Sequence, residues 1–216
     1  MLETHEVEPS ETVRSTVIWM HGLGASCHDF DDVVPLLASS GVRFVFPQAP
    51  ERAVTVNAGM RMPAWYDLLT FKDPPLREAP EDVDASLGQI QELITREQAR
   101  GVPSERIVVA GFSQGGAMAL HTLLHHDQTL AGVMVLSGYL LCPDRFEARS
   151  VANCQTPVLF CHGSEDDVVP LELGRRAFSK LKEASFEAQW NEFPMAHSLC
   201  MPEVKKIAKW LGSVCA

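Results

Sequence analysis

The run from Ile107 to Leu120, IVVAGFSQGGAMAL, limits the fold more than any other stretch of the chain. Its first half is β-branched and apolar and reads as a buried strand; its second half reads as an apolar helix. Only a GFSQG turn centred on Ser113 separates them. So sharp a bend needs residues without a Cβ where strand and helix converge, and Gly111 and Gly115 stand there, with Gly116 easing the crowding further. A glycine-containing structural turn is the bland alternative. The strand-turn-helix context favours chemistry instead, because it lifts a serine hydroxyl to the end of a sheet. A hydroxyl is a weak nucleophile at neutral pH, and a turn built to expose one points to covalent acyl transfer.

Such a serine needs a base, and the base needs a carboxylate to fix its tautomer. Of eight histidines, His121, His125, His126, His162 and His197 follow the elbow, as its chain order of nucleophile, acid and base requires. The first three ride on the helix after Ser113 and point along or around it. His162 ends the strand PVLFCHG and precedes the acidic cluster of HGSEDDVVP, whereas His197 in FPMAHSLC follows it. His197 is the expected base. Asp166 and Asp167 both fall in a loop after a strand, where a carboxylate reaches the carboxyl edge of a sheet, and position alone does not separate them. The pair His121 and His125 has metal-ligand spacing, but HTLLH lacks the glutamate of a metalloprotease helix, so no metal is assigned.

Ester cleavage builds negative charge on the former carbonyl oxygen, which preorganised amides stabilise. The N–H of Gln114, directly after the nucleophile at a helix start, is one expected donor. The other is the amide of Leu23, in the WMHGLGAS segment that leaves a strand and turns at Gly22 and Gly24.

At 216 residues and 46% hydrophobic, the chain can bury one full core, and a single domain over 1–216 is expected, with 1–15 as a polar N-terminal extension. Strands are expected at Val17–Met20, Arg43–Phe46, Ile107–Phe112, Val133–Ser137, Val158–Cys161 and Ala188–Phe193. Helical patterns lie between them, the clearest over Asp82–Arg100 and from Pro202 to Gly212. Strand runs without polar alternation imply burial on both faces, hence an α/β fold with a mainly parallel, doubly covered sheet. No apolar run reaches the length of a membrane span, and the N-terminal stretch is too polar for a signal peptide, so a cytoplasmic protein is expected. The six cysteines form no CxxC pair and read as reduced thiols. A formal charge of −10 without a basic cluster argues against a nucleic-acid partner.

HGLGAS, FPQAP, MPAWYDL, GFSQGGAMAL, HGSEDDVVP and the late AHS occur in this order between about Val17 and Trp210. Together they resemble the carboxylesterase, lysophospholipase and acyl-protein thioesterase family of α/β-hydrolases. The resemblance implies an α/β-hydrolase fold without a large cap domain, Ser113 as nucleophile, His197 as base and Asp166 as the orienting carboxylate, with Asp167 its rival. It implies no cofactor, and as substrates small or lipid-like esters, lysophospholipids or acylated proteins.

Between Thr55 and Pro80, prolines prevent long regular elements while many residues stay apolar. This excursion is expected over the site, with Leu69, Phe71 and Leu76 lining an acyl groove together with Val168. A homodimer stays open.

Overall fold

The apolar runs that form the central strands are buried on both faces, as in Ser15–Met20, where all six residues are buried, whereas Ala188–Phe193 at the sheet edge is only partly buried. The structure, a computed structural model, describes residues 1–37, 40–70 and 77–215. In chain order its strands and α-helices are β1 (Thr4–Val7), β2 (Ser15–Met20), β3 (Val42–Pro47), β4 (Glu51–Val54), β5 (Met60–Pro63), β6 (Leu68–Thr70), β7 (Arg77–Glu78), α1 (Pro80–Ala99), β8 (Ile107–Phe112), α2 (Gln114–His125), β9 (Gly132–Leu136), β10 (Val158–Gly163), α3 (Leu171–Glu183), β11 (Ala188–Phe193) and α4 (Met201–Val214). Seven of the strands form one sheet in the order β1-β3-β2-β8-β9-β10-β11, antiparallel only at the β1 edge. This is the α/β-hydrolase arrangement, and the strand that leads to Ser113 lies at its centre.

Alternate residues of the parallel strands feed two cores. On one face Ile18, Val45, Val109, Val135 and Phe160 meet Ile90 and Leu93 of α1, Leu120 of α2 and Leu181 of α3. On the other, Trp19, Phe46, Met134 and Leu159 meet Ile207, Trp210 and Leu211 of α4, together with Phe30 and Leu37. The expected alternation of strand and helix is incomplete. Among the described residues, the β2–β3 connection has only a single 3-10 turn at Val34–Leu36, and the β9–β10 connection only one at Pro143–Ala148. The segment expected as an irregular excursion contributes β5, β6 and β7, which form two small hairpins with β4 and with each other. No helix among the described residues is long and apolar enough to cross a membrane.

The polar N-terminus expected as an extension supplies β1, paired with β3 in the register His5↔Phe46. Hydrophobic pattern could not reveal it, because charge holds it. Glu6 pairs with Arg96 (2.8 Å) and Arg100 (2.9 Å), and Glu8 with Arg43 (2.8 Å). Arg43 in turn reaches the fully buried Glu97 of α1 at 2.8 Å. Charged side chains on a short strand also suit a sheet edge, where they discourage pairing with another chain.

Helix α2 lies so close to the sheet that side chains are excluded from the contact. A Cβ on Gly111 would stand 2.1 Å from the backbone of Gly115, and one on Gly115 would stand 2.4 Å from the carbonyl oxygen of Met20. Gly88, exposed on α1, has nothing within 4 Å of an added Cβ. Gly88→Ala should therefore stabilise by about 0.5–1 kcal/mol through helix propensity, raising Tm by roughly 1–4 °C. Gly115→Ala should cost about 3 kcal/mol or more by overpacking against backbone that cannot move aside. Thermal unfolding of the two variants checks both signs.

Candidate active site

Ser113 follows β8 at φ 57° and ψ −119°, a conformation that costs a non-glycine residue about 1–3 kcal/mol. Backbone bonds hold it there: its N–H donates to the Leu136 carbonyl (2.8 Å) and its carbonyl accepts from the Ala117 N–H (3.0 Å). Its side chain opens on a cavity of about 660 Å³ at the carboxyl ends of the central strands, and His197 lines the same cavity.

The loop after β10 and the segment after β11 bring Asp166 and His197 together, Nδ1 of His197 donating to Oδ2 of Asp166 at 2.7 Å. The other carboxylate oxygen accepts the N–H groups of Val168 (3.0 Å) and Val169 (2.8 Å). Burial acts to raise the Asp166 pKa, but the bond from His197 and these two amides outweigh it and hold the carboxyl below its ordinary range. An ionised Asp166 accepting at Nδ1 leaves Nε2 of a neutral His197 as the proton acceptor. Asp167 instead lines the cavity beside Val168. The Phe112 ring, with its centroid 4.6 Å from that of His197, limits how far the imidazole can swing.

His162 is a different kind of histidine. It is buried, its Nε2 donates to the Val169 carbonyl at 2.9 Å, and it stands 3.6 Å from Asp166 Oδ2. Burial lowers its pKa, so it braces the acid loop as a neutral ring. On α2, the His121 and His125 rings meet tilted at 46°, 4.3 Å between centroids, and burial pushes the His121 pKa down to about 3.

Leu23 and Gln114 both line the cavity, from opposite sides of the elbow. As the first residue of α2, Gln114 offers an N–H that no intrahelical carbonyl accepts. The backbone around Leu23 is fixed by His21, a residue the chain-order argument passed over. Its Nε2 accepts the Ala49 N–H (3.1 Å), so the ring proton is on Nδ1 and is donated to the Gly22 carbonyl (2.7 Å). Burial lowers the His21 pKa and keeps that ring neutral. Trp65 Nε1 donates to the His21 carbonyl (2.9 Å). The Gln114 side chain accepts the Trp65 N–H (2.7 Å) and donates to the Tyr66 carbonyl (2.8 Å). The HGLGAS, MPAWYDL and GFSQGG motifs thus form one hydrogen-bonded unit. The available sequence signal was Gln114, a long polar side chain at the start of an otherwise apolar helix.

Apolar surface dominates the rest of the cavity, from Phe30, Val56, Leu68, Val168 and Leu199. Of the residues expected in a groove, Val168 lines the cavity. Leu69 does not: it is exposed, and its neighbour Leu68 faces the cavity, because successive residues of β6 point to opposite sides. Phe71 and Leu76 lie outside the described residues.

The profile of the phospholipase/carboxylesterase family matches residues 3–215. Acyl-protein thioesterase 1 of Mycosarcoma maydis is 35% identical, the match covering 99% of this chain and 98% of that protein. Among solved structures, Arabidopsis thaliana SOBER1 superposes with a TM-score of 0.88 at 30% identity, over 94% of this chain and all of the other. Zea mays acyl-protein thioesterase 2 superposes with a TM-score of 0.89 at 26% identity, over the full length of both chains.

Gln114→Ala should leave the buried Trp65 N–H and Tyr66 carbonyl without partners, at about 1–3 kcal/mol each. The expected result is a clearly lower Tm together with reduced ester turnover; a wild-type Tm would contradict the linking role of this side chain.

Proposed function

The chain belongs to the phospholipase/carboxylesterase family of α/β-hydrolases and is a serine hydrolase of carboxylic esters, and from that premise we propose that Ser113, His197 and Asp166 are its catalytic triad. The observation that carries this reading is Ser113, strained at the head of β8, sharing one cavity with a histidine whose Nδ1 is held by a buried carboxylate.

In the first step the Ser113 Oγ attacks the acyl carbon while Nε2 of His197 takes its proton, and Asp166 stabilises the imidazolium that forms. The N–H groups of Leu23 and Gln114 receive the oxyanion, aided by the dipole of α2. Collapse of the tetrahedral intermediate expels the alcohol or thiol, which leaves with the proton from His197. Water then attacks the acyl-Ser113 ester with His197 again as base, and carboxylic acid and free serine are regenerated.

The apolar lining favours an acyl chain over a polar acid component, with Leu68 and Val168 among its contacts. Phe71 and Leu76 remain proposed contributors to that groove. A thiol leaves with less help from an acid than an alcohol does, so nothing in this machinery excludes thioesters, and acylated proteins join lipid-like esters as proposed substrates. Six free cysteines support a reducing, cytoplasmic setting.

Ser113→Ala should lower kcat/KM on p-nitrophenyl esters by about a thousandfold or more and abolish labelling by a fluorophosphonate. Asp166→Asn should cost on the order of 10⁴-fold in kcat, while Asp167→Asn should keep most of the turnover; the reverse pattern would transfer the acid role to Asp167. A matched oxyester and thioester of one fatty acid should share the same kcat if a common acyl-enzyme is hydrolysed in the slow step. Ligand binding without labelling or turnover would mark a receptor and overturn the reading.

A further inference from the structure

The segment Ser26–Asp32 faces two ways. Phe30 and Asp29 line the catalytic cavity, while His28 and Asp31 are exposed at the surface. Pairing of β1 with β3 sets His5 opposite Phe46, and from there its ring reaches that exposed side, 4.3 Å from the ring of His28 between centroids. Nε2 of His5 lies 3.0 Å from one oxygen of Asp31, and Nδ1 of His28 lies 3.1 Å from the other. One ligand atom from each of the three residues fits within a mutual separation of 4.8 Å.

We propose that His5, His28 and Asp31 form a surface site for a borderline divalent cation of the zinc type, with solvent completing the shell. In a tetrahedral zinc site with bonds of about 2.0–2.2 Å, neighbouring ligand atoms stand roughly 3.3 Å apart. Each imidazole meets its own oxygen of Asp31, at 3.0 and 3.1 Å, within a few tenths of an ångström of that value. Two imidazoles and a carboxylate suit zinc, copper or nickel better than magnesium or calcium. A cation would take up the charge of Asp31 and fasten the N-terminal strand to the loop that forms one wall of the cavity. His5 is far from the other two in the chain, and the β1–β3 pairing brings it to them.

The test uses the untagged full chain stripped with a chelator and kept reduced, titrated with Zn²⁺ by calorimetry and with Co²⁺ by absorption. The proposal expects one equivalent bound and a cobalt spectrum without a thiolate-to-metal charge-transfer band, which separates this site from the six cysteines. His5→Ala and His28→Ala should each weaken binding at least tenfold and remove the zinc-dependent rise in Tm, with metal-free ester turnover unchanged to show that the variants fold. His125→Ala, which alters the other close histidine pair, should bind as the wild type does. No binding by the wild type, a charge-transfer band, or loss of binding in His125→Ala but not in His28→Ala would each overturn the proposal.

Discussion

The closeness of the first turn of α2 to the ends of β2 and β9 is the constraint on which the rest of the site depends. Three glycines, Gly111, Gly115 and Gly116, let backbone approach backbone at distances no Cβ would survive. The serine between them is the residue that takes up the resulting bend, at φ 57°. Moving the helix away by the thickness of one methyl group would shift the proposed nucleophile and the Gln114 amide together. The geometry of attack and the geometry of oxyanion binding are therefore a single property of one packed contact.

Electrostatics at the site follows from where hydrogen bonds replace water. Asp166 is buried yet remains a strong anion, because two amides and an imidazole N–H point at its oxygens. His21 and His162 are buried, and burial lowers both pKa values despite the Asp166 carboxylate 3.6 Å from His162; they stay neutral and serve as hydrogen-bonding braces. The same residue type thus does different work according to its partners. Nδ1 of His197 donates to a carboxylate, whereas the braces bond to backbone groups.

Cavity and sheet edge are linked more closely than chain order suggests. The turn after β2 carries Leu23 toward the proposed oxyanion site, and a few residues later Phe30 forms part of the cavity wall while Asp31 meets the N-terminal strand. That strand is anchored from the other side by the arginines of α1 and by Arg43 on its neighbour β3.

The sequence by itself determined the parallel core strands, the elbow, the helices α1 and α4 and the order of the nucleophile, acid and base candidates. These are local or ordinal features: runs of apolar residues, glycines at a fixed spacing, the period of a helix. The tertiary structure decided what depends on distant segments meeting. It distinguished Asp166 from Asp167 by which carboxylate meets the imidazole, turned Leu68 rather than Leu69 to the cavity, and made a strand of the polar Thr4–Val7 through charge pairing with α1 and β3. It also gave Gln114 its second task, since its bonds to Trp65 and Tyr66 cross almost fifty residues of chain. Adjacent residues share composition and pattern, and only a three-dimensional partner separates them: a one-residue step along a strand or turn reverses the direction of a side chain.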